Sequence, residues 1–144
     1  MTDIIIKNLP ILVVICPLMM SLIIVLIPYN FLSWLITLFT TFITFIFSLF
    51  LYQEVYLHTS ISYALGNWIP PMGIEYVIDK VSIVPIIIIS LISFITTIFS
   101  SKVMPAEINS SSISKVYSLW LLAIAGLIAV SYTHLRAHET SLHL

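Results

Sequence analysis

Few side chains in this sequence can do chemistry, and they gather at two places. Glu54, His58, Glu75, Asp79 and Lys80 lie in one polar stretch, and His134, Arg136, His138 and Glu139 lie close to the last residue. Carboxylates such as Glu75 and Asp79 beside a membrane surface can collect cations at an entrance. Charged residues at a helix boundary ordinarily serve as solvated anchors, and the pair reads first as that. His134 and His138 stand four apart, so on a helix they share a face and offer two metal ligands. Two ligands without a third make no metal centre. His58 alone reads as a surface residue. There is no glycine-rich phosphate loop and no nucleophile elbow. Cys16 is the only cysteine, which excludes an intramolecular disulfide and a thiolate cluster. The sequence therefore assigns no catalytic residue, no cofactor and no metal, and the chain reads as something other than an enzyme.

The elements that position these residues follow from composition. The chain has 144 residues, of which 60% are hydrophobic and 8% charged; soluble domains carry about 25% charged residues. Such a chain belongs in a bilayer. No charged residue occurs in 8–53, 81–101 or 116–135. A spanning helix needs about 20 mostly apolar residues, so the first gap holds two helices and the others one each. The expected fold is an all-α membrane protein with four transmembrane helices at about 9–27, 31–52, 81–101 and 116–135. Pro28-Tyr29-Asn30 breaks the first gap into a tight helical hairpin, because proline lacks a backbone donor and disfavours helical geometry just before it. The start lacks a basic n-region and a small-residue cleavage site, and a second span follows directly, so it reads as helix 1 and not as a signal peptide. Pro17 and Pro85 fall inside spans, where each should kink its helix or free a carbonyl that a neighbour shields; packing kinks are expected rather than transport hinges. Trp34 and Tyr52 near the ends of helix 2 suit the headgroup level. A net charge of -1 leaves no basic patch, so no nucleic-acid partner is expected.

The longest polar stretch, residues 53–80, is expected to form a hairpin-like extramembrane flap. Residues 60–65 and 74–78 are β-prone, and Gly66-Asn67 with Pro70-Pro71 supply turn chemistry between them. Trp68 and Met72 then lie against the membrane interface or pack on a neighbouring helix. Trp68, Glu75, Asp79 and Lys80 are the candidate flap and membrane-entrance residues. The connector between helices 3 and 4, residues 102–115, holds Pro105 and a serine run. Orientation stays open: Lys102 and Lys115 on one side balance Lys7 and Lys80 on the other. Inside the spans stand Thr37, Thr40, Thr41, Thr44, Ser90, Ser93, Thr96 and Thr97. These hydroxyls can line a polar path, but packing is the stronger expectation, since small hydroxyls bond the preceding turn or a close neighbouring helix. A charged residue at mid-span costs about 2.5 to 3.5 kcal/mol and marks function by default. None is present before residue 130, so no proton relay is expected.

The segment "SYALGNWIPPMGIEYVIDKVS", residues 62–82, resembles the flap of the D subunit of Mrp-type monovalent cation/proton antiporters. The family's Gly-x-Trp-x-x-Pro-x-Gly-Ile pattern is matched by Gly66, Trp68, Pro71, Gly73 and Ile74, and its acidic residue at the start of the third helix by Asp79. The helical hairpin before it and "SLWLLAIAGLIAV" after it are similar too, so the resemblance covers nearly all of 9–129. It implies a parent of about fourteen helices, with inverted repeats of discontinuous helices forming ion pathways near the midplane. The family's buried glutamate on the fifth helix and its central lysines would follow residue 129 and match nothing here. The resemblance further implies a multi-pass protein of the cell (inner) membrane with the flap outside, moving monovalent cations and protons in a hetero-oligomeric complex. The antiporter-like membrane subunits of NADH-quinone oxidoreductase share the plan and give an alternative. A free-standing structural four-helix membrane protein is a further one.

"VSYTHLRAHET", residues 130–140, resembles the in-frame translation of a transposase-type sequencing adapter residue by residue. An index and the following adapter bases account for residues 141–144. The expectation is that residues 1–129 are an N-terminal transmembrane bundle, including the flap, and that 130–144 are non-native. On that reading helix 4 keeps only residues 116–129, about 21 Å of helix.

Overall fold

The structure is a computed structural model and describes residues 2–58, 60–64 and 75–142, with side chains over 8–57 and 80–132. It is all-α in its body. Four helices follow one another: α1 (Thr2–Val25), α2 (Asn30–His58), α3 (Lys80–Glu107) and α4 (Ile113–Leu142). Each contains a stretch long and apolar enough to cross a membrane: Asn8–Val25, Asn30–Leu57, Lys80–Glu107 and Ile113–Tyr132. The chain is a membrane protein by that measure.

Every helix begins before its expected start, and all but α1 run past their expected ends. The expected limits followed the first charged or polar residue. A helix does not end at the edge of the hydrocarbon, because its hydrogen bonds are internal and its charged side chains simply stand in the headgroups. So Gln53 to His58 continue α2, Lys102 and Pro105 sit inside α3, and the expected connector 102–115 shrinks to the residues between Glu107 and Ile113. Helix α1 instead stops at Val25, where Leu26 and Ile27 donate to Ile23 and Ile24 at 3.1 Å and tighten the last turn ahead of Pro28. The N–H of Ser33 then bonds the Tyr29 carbonyl at 3.0 Å as α2 starts.

The helices form a ring in chain order. Helix α1 packs chiefly against α4 and α2 chiefly against α3; α1·α2 and α3·α4 close the ring, and α2 also touches α4 across it. At the end where α2 stops and α3 starts, β1 (Ser60–Ala64) and β2 (Glu75–Asp79) pair antiparallel, Ser60 opposite Asp79 and Ala64 opposite Glu75. The expected flap falls partly on residues 59 and 65–74, which lie outside the described residues.

The cross-section is inverted relative to a soluble bundle. Leu26, Phe31 and Phe39 are 83%, 73% and 64% exposed, while the buried face of α2 carries Ser33, Thr37, Thr40, Thr41, Thr44 and Ser48 before it turns apolar at Leu51 and Val55. Lipid is as apolar as leucine, so nothing drives large side chains inward, and small residues let the helices approach. The largest share of the apolar core comes from α4, where Ile113, Tyr117, Leu121, Ile124 and Ile128 recur every three to four residues along one face.

Candidate functional site

The buried hydroxyls divide into two groups. Thr37, Thr40, Thr41 and Thr44 donate to carbonyls one turn back, Ser33, Ile36, Thr37 and Thr40, at 2.7 to 3.0 Å. Thr97 does the same to Ser93 at 2.8 Å. They bond within their own helices, and Thr96 is exposed. Ser90 lies 3.0 Å from the Ile87 carbonyl of its own helix and also reaches Ser48 on α2 at 2.9 Å.

The second group links helices, and it includes residues that periodicity alone did not single out. Ser33 meets Ser114 at 2.9 Å, Ser100 meets Tyr117 at 3.1 Å, and Ser118 donates to the Ser21 carbonyl at 2.7 Å. Proton counting orients these bonds. Ser33 also lies 3.0 Å from the Tyr29 carbonyl and Ser100 2.7 Å from that of Thr97. Each serine has one proton, so both hydroxyls are satisfied when Ser114 and Tyr117 are the donors across the interface. Thr97 is a further node: Trp34 donates to its carbonyl at 2.9 Å and Trp120 to its hydroxyl at 3.3 Å. Trp34, expected at the headgroup level, is thus half-buried between α2 and α3. One signal in the sequence pointed here: the row Ser33, Thr37, Thr41 or Thr40, Thr44, Ser48 repeats at nearly four residues, a continuous stripe on one helical face. The bonds across helices are worth about 0.6 kcal/mol each on average in a bilayer, so they set register more than they hold the bundle together.

At the end of the bundle opposite the strands, a cleft of about 500 Å³ opens between three helices. Its walls are Asn30, Phe31 and Trp34 from the first turns of α2, and Ser101 and Pro105 from the end of α3. Ser110, Ile113 and Tyr117 close it from the connector and the start of α4. The donors of Trp34 and Ser101 are committed to Thr97 and Ile98. The carboxamide oxygen of Asn30 is buried and has no hydrogen-bond partner among the described residues. A buried acceptor left so costs about 1 to 3 kcal/mol.

The sequence-derived flap and entrance residues are only partly placed. Trp68 lies outside the described residues. Glu75 and Asp79 occupy opposite ends of β2, about 13 Å apart along a strand rising ~3.3 Å per residue. Lys80 opens α3 and is exposed; its Nζ stands 5.8 Å from the ring centroid of Tyr56 on α2, and Tyr56 in turn stacks on Tyr52 at 6.2 Å. The structure therefore joins Lys80 to aromatic residues of α2 that no motif indicated. Among the described residues, no three His, Cys, Asp or Glu side chains come together as metal ligands.

No family model matches the chain, and no curated protein or solved structure matches it.

Proposed function

We propose that residues 1–129 are the N-terminal transmembrane bundle of a monovalent cation/proton antiporter D subunit, serving as scaffold and assembly surface and not as the ion path. The observation that carries this reading is the interior of the bundle. Among the described residues, its fully buried polar side chains are serines and threonines, most of them bonded to neighbouring turns or to one another, and none is charged. Ion translocation across hydrocarbon needs ionisable groups at depth, and these helices supply packing instead. The antiporter identity is supported by the segment 62–82. On this reading the flap faces the outside of the cell membrane, Glu75, Asp79 and Lys80 stand near an entrance, and the partners are lipid and the other antiporter subunits.

The same segment supports a membrane subunit of a quinone-reducing respiratory complex. Genes for small antiporter subunits beside this one favour the first reading, and genes for quinone-reductase subunits favour the second. The scaffold role is tested by reconstituting the chain alone in vesicles with a pH-sensitive dye. No cation-dependent proton exchange is expected, and measurable exchange would overturn it.

A further inference from the structure

We infer that the cleft between the start of α2, the end of α3 and the start of α4 holds one molecule of an anionic phospholipid whose headgroup carries hydroxyl donors, phosphatidylglycerol.

Position supplies the first argument. The cleft lies at the end of the spans, where an apolar chain and a polar headgroup meet. Its walls are mixed: Phe31, Trp34 and Ile113 offer apolar and aromatic surface, and Asn30, Ser101 and Ser110 offer polar groups. A volume of about 500 Å³ takes the headgroup and the first part of the acyl chains, the rest of which lie along the helices in the bilayer.

Hydrogen-bond accounting supplies the second. The Asn30 carboxamide oxygen lacks a donor, while the Trp34 and Ser101 donors are committed to carbonyls of α3. What the Asn30 oxygen lacks is a donor. The terminal torsion of asparagine is soft, so the amide turns to a hydroxyl in the cleft by rotation alone.

Charge supplies the third. Lys102 and Lys115 are both exposed at this end of the bundle, against one exposed carboxylate, Glu107. The helix ends do not add to this, since the N-termini of α2 and α4 here are balanced by the C-termini of α1 and α3. A phosphate is favoured, and a headgroup bearing an ammonium is not.

Native mass spectrometry on the full purified chain, with phosphatidylglycerol and phosphatidylcholine in equal amounts, tests the assignment. Phosphatidylglycerol should be retained one to one and preferred about fivefold, the worth of a single net hydrogen bond. Asn30→Leu should bring that preference close to unity. Ile113→Trp, which adds bulk to the wall of the cleft from α4, should remove the bound lipid and carries the test if Asn30→Leu does not fold. Phosphatidylethanolamine should compete less well than phosphatidylglycerol, and soluble glycerol phosphate not at all. Equal retention of phosphatidylcholine, a preference for phosphatidylethanolamine, or undiminished lipid on the Ile113→Trp chain would each overturn the proposal.

Discussion

The indole N–H of Trp34 lies 2.9 Å from the main-chain carbonyl oxygen of Thr97, binding α2 to α3 by a side chain whose type alone suggested a place among headgroups. Thr97 also receives Trp120 from α4 through its hydroxyl. Three helices are registered on one residue.

Trp34→Phe keeps most of the aromatic surface and removes the donor. It should lower unfolding free energy in detergent by about 1 kcal/mol. Trp120→Phe should cost roughly half as much, since its bond is longer and ends on a neutral hydroxyl already bonded to Ser93. Thermal or SDS titrations of both variants read this directly, and the reverse order would contradict the role given to the Thr97 carbonyl.

A double-mutant cycle on Ser33→Ala and Ser114→Ala should return a coupling of about 0.6 kcal/mol, the average for hydrogen bonds between membrane helices. The same cycle on Thr44 and Ser90, both buried but with no hydrogen bond to each other, should return a coupling near zero.

Gly126 sits on the outer face of α4, and a methyl group added there meets nothing within 4 Å. Gly126→Ala should therefore raise stability by up to about 1 kcal/mol through helix propensity. Its neighbour Ala125 is buried, so Ala125→Leu should cost about 1 to 3 kcal/mol by overpacking. If Gly126→Ala proves destabilising, the outer face of α4 is covered by something other than lipid.

The tail has a nucleic-acid test. DNA from the source should match the adapter at every codon from 130 to 140 in the sequenced library and depart from it in genomic DNA after codon 129. One synonymous codon differing from the adapter within that stretch would make these residues native.

The four helices were legible because charge is costly in hydrocarbon, which leaves long uncharged gaps around Cys16, Thr41, Ser90 and Leu121. Their limits were less so. Gln53, Lys102 and Lys115 look like loop residues by type, yet a helix leaving the bilayer carries them without loss. The hydroxyl stripe on α2 could be read from its spacing, whereas its partner Ser114, and the bond from Ser118 to α1, could not, because contact across helices depends on rotation about each axis. The cleft was illegible for a similar reason: Asn30, Ser101, Ser110 and Tyr117 stand far apart along the chain and form no motif until α2, α3 and α4 assemble.

The hydrogen bond from Ser118 to the carbonyl of Ser21 has a bearing on biogenesis. The first helix leaves the ribosome long before the partner that covers it, since α1 packs chiefly against α4. Until synthesis passes Ser118, α1 must wait in the translocon or beside an insertase with its inner face uncovered. The α2 and α3 pair can dock meanwhile, so α4 acts as the latch of these four helices, and a nascent chain stalled before it would be a substrate for membrane quality control.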